Sequence, residues 1–313
     1  MLNGARLLEE FIASCGGKVN PIRIFSAKEL KEATSSYDQR KILVRGGMYT
    51  AYEGTYRDRA IVVRVLNFTS FATIENVFTE IVMLSQINHK NVVRLLGCCI
   101  ETEDPRPVYE FIGNGSLAFH IHEMHPSVLS WETRLRIATE IASALTYLHT
   151  APREPIVHMD IRSMNILLDE RFTVKISNFG NSKTLSESGN AVIKDIDPMQ
   201  MWEDVFGFGK LLFELLAGEM HQAIFDVGSV WADDDVDGAE VEHFASSLKK
   251  RCLASNIGIL EEGKETQWLE CTKLALNCIS RHKRLTIKEV AEELRRIRNL
   301  GQQGKKERPI VSH

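Results

Sequence analysis

At 313 residues and 44% hydrophobic content, the chain is long enough for one large domain or two packed halves with a real core, which excludes a disordered tail or a small cross-linked module. A formal net charge of −4 offers no basic surplus for counterion release at nucleic acid, so no nucleic-acid partner is expected. Six cysteines (Cys15, Cys98, Cys99, Cys252, Cys271, Cys278) form no C-x-x-C pair, which argues against zinc and against a disulfide framework and fits a reducing compartment. Adjacent Cys98 and Cys99, in VVRLLGCCI, read as small apolar strand residues. No apolar run reaches the ~18 residues of a spanning helix. The richest stretch, Val205 to Ala217, is broken by Lys210 and Glu214. The start, MLNGARLLEEF, has no signal pattern, and Leu2 stands where myristoylation requires glycine. A cytoplasmic protein without a transmembrane segment is expected, reaching the plasma membrane only through partners.

In chain order, Leu7, Leu8, Phe11 and Ile12 give a short amphipathic pattern, followed by a Gly-Gly and Pro21 break and then SAKELKEAT. Together these read as an arm packed on the main domain. From Lys41 to Asn67, β-rich pieces (TAYEG, AIVVRVL) separated by turn residues predict an antiparallel meander. Ile74, Val77, Phe78, Ile81, Val82 and Leu84 follow helical spacing over Thr73 to Ile87 and predict one helix against those strands. Strand pieces resume at VVRLLGCC and PVYEFI, NGSL marks a turn, and the chain beyond about Ser116 reads mostly helical. SWETRLRIATEIASALTYLH carries Ser130 at its cap, Glu132 in its first turn and a stripe of Leu135, Ala138, Ile141, Ala142, Leu145 and Leu148. Thr286 and Glu289 form a capping box that opens a helix to about Leu300, ahead of a polar tail.

The sharpest chemical signal is HMDIRSMNILLD, His158 to Asp169, followed after the strand-like TVKIS by Asn178-Phe179-Gly180. This order resembles the catalytic loop H-R-D-x-x-x-x-N and the D-F-G motif of protein kinases. In that resemblance Asp160 holds the position of the base and Asn165 that of a metal ligand. Arg64 in IVVRVL takes the place of the V-A-I-K lysine, and Glu80 that of its helical partner. EIVMLSQINHKNVVRLLGCC, WEDVFGFG (Trp202 to Gly209) and Arg284 look like plant receptor-like kinases, particularly the wall-associated type. With the arm PIRIFSAKELKEAT and the replaced motifs, the chain is most similar to the HopZ-ETI-deficient-related pseudokinases. The resemblance covers about residues 22 to 300 and implies an α+β, bilobal kinase fold. Its parts are an arm (1–35), a β-rich N-lobe with one helix (about 36–108), a hinge (about 109–115), a mainly helical C-lobe (about 116–300) and a polar tail (301–313).

The machinery departs from the kinase pattern at several points. In KILVRGGMYTAYEG, Val44 and Tyr49 replace the first and third glycines of G-x-G-x-x-G, where backbone should approach phosphates closely. Gly46-Gly47 therefore reads either as a hairpin turn or as a remnant nucleotide contact. Arg64 is larger than lysine and prefers bidentate carboxylate geometry, so an ion pair with Glu80 is favoured over phosphate binding. Asn178 replaces the magnesium-binding Asp, and with Asn165 leaves only neutral oxygens for a cation normally held by carboxylates. Met159 replaces the arginine before Asp160, which favours a loop hydrogen-bonding role for Asp160 over that of a base. Met199 replaces the glutamate that would follow Asp197-Pro198, and only MQMWE separates Pro198 from Asp204, so the peptide-docking stretch is shortened.

A calcium-loop opening at Asp233, Asp235, Asp237 and Gly238 has Phe244 at its twelfth position in place of glutamate, and reads as an acidic loop. The remnant nucleotide-site positions are then Gly46, Gly47, Arg64, Glu80 and Tyr109, with Asp160 and Asn165 at catalytic and Asn165 and Asn178 at metal positions. No cofactor is required; ATP binding without magnesium stays open. The resemblance implies an adaptor or decoy in plant immunity that binds a coiled-coil NLR receptor, other receptor-like cytoplasmic kinases and bacterial effectors. Thr184, Ser186 and Ser188 are candidate modification sites under that reading. The alternative is a slow, atypical Ser/Thr kinase that uses Arg64 and Asn178 in altered roles and keeps Asp160 and Asn165.

Overall fold

The computed structural model describes residues 22–123, 129–185, 198–217, 244, 246–248, 250, 263–280 and 282–303. They fall in two compact units: residues up to Gly113 with Lys175–Thr184, and Asn114–Val174 with the chain from Leu185 on. The chain leaves the first unit after Gly113 and returns to it for ten residues, Lys175–Thr184. Backbone pairing causes the return. Val93 N donates to Ile176 O at 2.9 Å, Ile176 N donates to Asn91 O at 2.8 Å, and Lys175 meets Glu110 at 2.8 Å.

The first unit is built on one sheet of β1 (Arg23–Ile24), β2 (Ile42–Arg45), β3 (Tyr49–Tyr56), β4 (Arg59–Leu66), β5 (Leu95–Cys99) and β6 (Arg106–Glu110), ordered β1-β5-β6-β4-β3-β2. Alternation along β4 gives the sheet two chemically distinct faces. Ile61 and Val63 point to a core with Cys99 and Val108, which the arm covers with Phe25, Leu30 and Ala33. Residues 22–33 pack on the sheet unit: β1 pairs in parallel with β5, and helix α1 (Ala27–Ala33) roofs the core, while residues 1–21 lie outside the described residues. A capping box starts α1, with Ser26 Oγ accepting from Glu29 N at 3.1 Å and the Glu29 carboxylate accepting from Ser26 N at 2.9 Å. That backbone N–H and the Arg23 guanidinium hold the Glu29 carboxyl down at about 2.

Helix α2 (Phe71–Gln86) opens on a second capping box, Ser70 with Thr73, and packs along β5 and β6. Of the stripe that the spacing predicts it buries Val77, Phe78, Ile81, Val82 and Leu84, together with Glu80, and leaves Ile74 half-buried.

The second unit is helical. Helix α3 (Trp131–Thr150), capped by Ser130, buries the predicted stripe, while α4 (Pro198–Ala217) packs on α5 (Glu265–Ile279) and α6 (Ile287–Gln303) on α3. Gly209 allows the α4–α5 approach: a Cβ there would lie 2.7 Å from Cys278 Cβ. Short strands β7 (Ile156–Val157) and β8 (Ile166–Leu168) flank the catalytic-loop sequence. Strand β9 (Val174–Ile176) carries the chain back to the first unit, where β10 (Lys183–Thr184) also lies. Cys98, Cys99, Cys271 and Cys278 are buried free thiols, and burial pushes Cys98 up to about 12. Cys15, Cys252, Ser186, Ser188, Asp197 and the acidic loop Asp233–Gly238 lie outside the described residues, although Phe244 stacks edge-on against Phe213 at 5.9 Å. Among the described residues no helix is long and apolar enough to cross a membrane.

Two backbone constraints give direct tests. A Cβ on Gly97 would sit 2.0 Å from Arg23 O. Gly97→Ala should therefore push β1 off β5 and destabilise the first unit by about 2–3 kcal/mol, measured by urea unfolding. Ser35, Ser36 and Tyr37 follow α1 with φ of 54°, 61° and 59°, three successive left-handed residues without a glycine. Left-handed backbone costs an L-residue roughly 1–2 kcal/mol, so Ser36→Gly, at an exposed site, should raise stability by about 1 kcal/mol and raise the melting temperature.

Candidate functional site

In the first unit, strand register assembles a cluster around Arg64. On the antiparallel ladder Ala51 pairs with Arg64, Tyr49 with Leu66, and Val62 with Tyr109. Side chains two residues apart share a face, so Tyr49 on β3, Arg64 on β4 and Tyr109 on β6 stand side by side. The Arg64 guanidinium carbon lies 4.6 Å from the Tyr49 ring centre and 5.5 Å from that of Tyr109. Arg64 donates to the carboxylate of Glu80, the partner expected on α2; their side chains are 11% and 1% exposed. Arg64 Nε and Tyr109 Oη are both buried and have no hydrogen-bond partner among the described residues. Burial, the largest influence, pushes the Tyr109 phenol above its ordinary range, so Tyr109 is neutral at physiological pH.

The Gly46-Gly47 turn between β2 and β3 is held down by Asn67. Asn67 Nδ2 donates to Gly46 O at 2.6 Å and to Gly47 O at 3.2 Å, and Asn67 N donates to Met48 O at 2.9 Å. Neither glycine takes a positive φ, and a Cβ on Gly47 would meet nothing within 4 Å. Asn178 has φ 68° and leads into a turn where Phe179 is fully buried and Gly180 approaches Asn76 on α2. Asparagine tolerates that left-handed backbone well, so the turn survives the loss of the carboxylate.

In the second unit the catalytic-loop sequence is organised by Asp204 of α4, which is fully buried. Its Oδ2 accepts from His158 N at 2.8 Å and lies 2.8 Å from His149 Nε2; its Oδ1 accepts from Met159 N at 2.8 Å. Gly207, one turn on, lets α4 press against the loop, since a Cβ there would lie 2.9 Å from Ile161 O. Asn165 Nδ2 donates to Asp160 O at 2.8 Å and so ties the loop to itself. The Asp160 carboxylate is gripped by a two-pronged fork, Arg162 Nε at 2.9 Å and Nη2 at 3.1 Å.

Sequence reasoning missed three of these contributions. Asp204 was legible as the carboxylate, next to Glu203, that opens the apolar run VFGFG, and Arg162 as a cation two residues from Asp160, whereas the place of the Tyr49 ring follows only from strand register. Asn178 and Asn165 present only neutral oxygens, Asn165 Nδ2 donates to Asp160 O, and the loop carboxylate of Asp160 faces the Arg162 guanidinium. The Arg64 guanidinium meets a carboxylate and two rings.

Comparison with known proteins agrees with this architecture. The sequence profile described as "Protein tyrosine and serine/threonine kinase" matches residues 39–233. In Arabidopsis thaliana, Wall-associated receptor kinase-like 1 is 39% identical across 95% of this chain, and Wall-associated receptor kinase 4 is 36% identical across 95%. The chain spans 42% of the length of each of those two. It spans 71% of Putative wall-associated receptor kinase-like 16, also 36% identical over 95% of the chain. The chain therefore belongs to the protein tyrosine and serine/threonine kinase family and is homologous to the wall-associated receptor kinases.

Proposed function

We propose that this chain is a pseudokinase that works by binding, as an adaptor or decoy in plant immune signalling. One observation carries the reading: the charged groups that would act on a nucleotide are engaged by one another. Arg64 is taken up by Glu80 and lies against Tyr49, and Asp160 is forked by Arg162. Phosphoryl transfer depends almost wholly on positioning and on electrostatic stabilisation of the phosphoryl group; an ion pair between the strand cation and the helix glutamate is itself part of that apparatus, so the reading is supported by the Tyr49 ring against Arg64, the neutral Asn178 and the Arg162 fork on Asp160. Removing one such element costs on the order of 10²–10³ in rate by analogy with an oxyanion-hole donor. The partners in this proposal are a coiled-coil NLR receptor, other receptor-like cytoplasmic kinases and bacterial effectors that modify them. Its setting is the cytosol, with Thr184, Ser186 and Ser188 as modification sites. The buried side of each unit is kept intact while the chemistry is not, which suits a protein whose product is a surface.

The second reading, a slow Ser/Thr kinase, draws support from the retained Asp160 and Asn165, which still meet within one loop. Thermal unfolding with ATP, with and without Mg²⁺, beside a radiolabelled autophosphorylation assay separates the two. A ligand that binds only the native state must raise the melting temperature. The proposal predicts no magnesium-dependent shift and no incorporated label; a shift together with label that disappears in Asp160→Ala would replace it with the kinase reading.

A further inference from the structure

We propose that Tyr49 is a built-in plug: its ring takes the place beside Arg64 that a nucleotide's phosphates would need, and removing it would open an anion site. The inference rests on the reading that the chain does not use nucleotide in phosphotransfer.

A guanidinium has five N–H donors in one plane and two faces, and each donor demands an acceptor. Glu80 answers part of that plane, and the Tyr49 and Tyr109 rings flank the group from the two neighbouring strands. Cation–π attraction is strongest for a desolvated arginine and helps keep the ring where it lies. The Nε–H is buried and has no acceptor among the described residues. A buried donor without an acceptor is costly, so Arg64 retains an unmet demand that an anionic oxygen would satisfy. The Tyr49 ring is the nearer of the two to the guanidinium carbon and stands at the edge of the sheet's Arg64 face, beside the Gly46-Gly47 turn.

The plug is held by backbone as well as by its ring. Tyr49 is the first residue of β3, Gly46 N donates to Tyr49 O at 3.0 Å, and Asn67 clasps the turn from Gly46 to Met48. Thr50 Oγ1 fixes Asn67 in turn, donating to its Oδ1 at 2.6 Å. These bonds fix the Tyr49 backbone, and the contact with the Arg64 guanidinium holds its ring in place. The chemistry admitted on removal is that of a polyphosphate, whether free or carried by a nucleoside.

The test titrates the purified full chain and its Tyr49→Gly and Tyr49→Phe variants with ADP, tripolyphosphate and adenosine by isothermal calorimetry without magnesium. Tyr49→Gly should bind ADP and tripolyphosphate at least about tenfold more tightly than the parent chain, with adenosine unchanged. Tyr49→Phe keeps the ring and should behave as the parent. If Tyr49→Gly does not melt cooperatively, Tyr49→Ser supplies the same opening in a more strand-compatible form. Parent binding as tight as that of Tyr49→Gly, no gain in a cooperatively folded variant, or a gain for adenosine equal to that for ADP would each overturn the plug. Tight parent binding without phosphotransfer would overturn the plug alone, whereas phosphotransfer by the parent would overturn the proposed function itself.

Discussion

The buried pair of Arg64 and Glu80 is the constraint around which the first unit is organised. Desolvating a carboxylate and a guanidinium is expensive, and the expense is offset only when each finds the other in good geometry. Here the pair links β4 to α2, so the helix is fastened to the sheet by charge as well as by Val77, Phe78 and Ile81. Lysine in that position would leave spare donors for a ligand. A guanidinium held by a carboxylate and lying against two rings makes the position part of the core.

Asp204 plays the corresponding part in the second unit. A fully buried carboxylate needs several hydrogen bonds, and this one gathers the His158 and Met159 amides and the His149 ring. Met159 sits at φ 67°, a conformation that costs a methionine free energy and that the amide bond to Asp204 helps to hold. The loop thus keeps its kinase-like course although the arginine expected before Asp160 is absent. Both units keep the kinase-like motifs in ordered backbone, with Arg64 paired to Glu80 in the first and Asp160 to Arg162 in the second.

Much of this was legible in the sequence because the signals were local. The Ser130 cap, the Thr286–Glu289 box, the apolar stripe of α2 and the order of the kinase-like motifs each depend on residues within a few positions, and the Arg64–Glu80 pairing followed from the resemblance. What the sequence left closed depends on register and on distant approach. Placing Tyr49 beside Arg64 requires knowing that Ala51 faces Arg64, and integrating residues 22–33 into the sheet unit requires the contact of Gly97 with Arg23. The return of Lys175–Thr184 to the first unit is likewise set by pairing with residues more than eighty positions earlier, as Ile176 with Asn91 shows.

The central claim, that Arg64 and Glu80 serve structure, is tested most directly by a double-mutant cycle of Arg64→Met, Glu80→Leu and the combined variant, followed by urea unfolding. The account predicts that each single change destabilises by about 3–5 kcal/mol, because it strands a buried charge, and that the combined change recovers most of the loss. Single changes that leave stability unaltered, or losses that simply add, would contradict it.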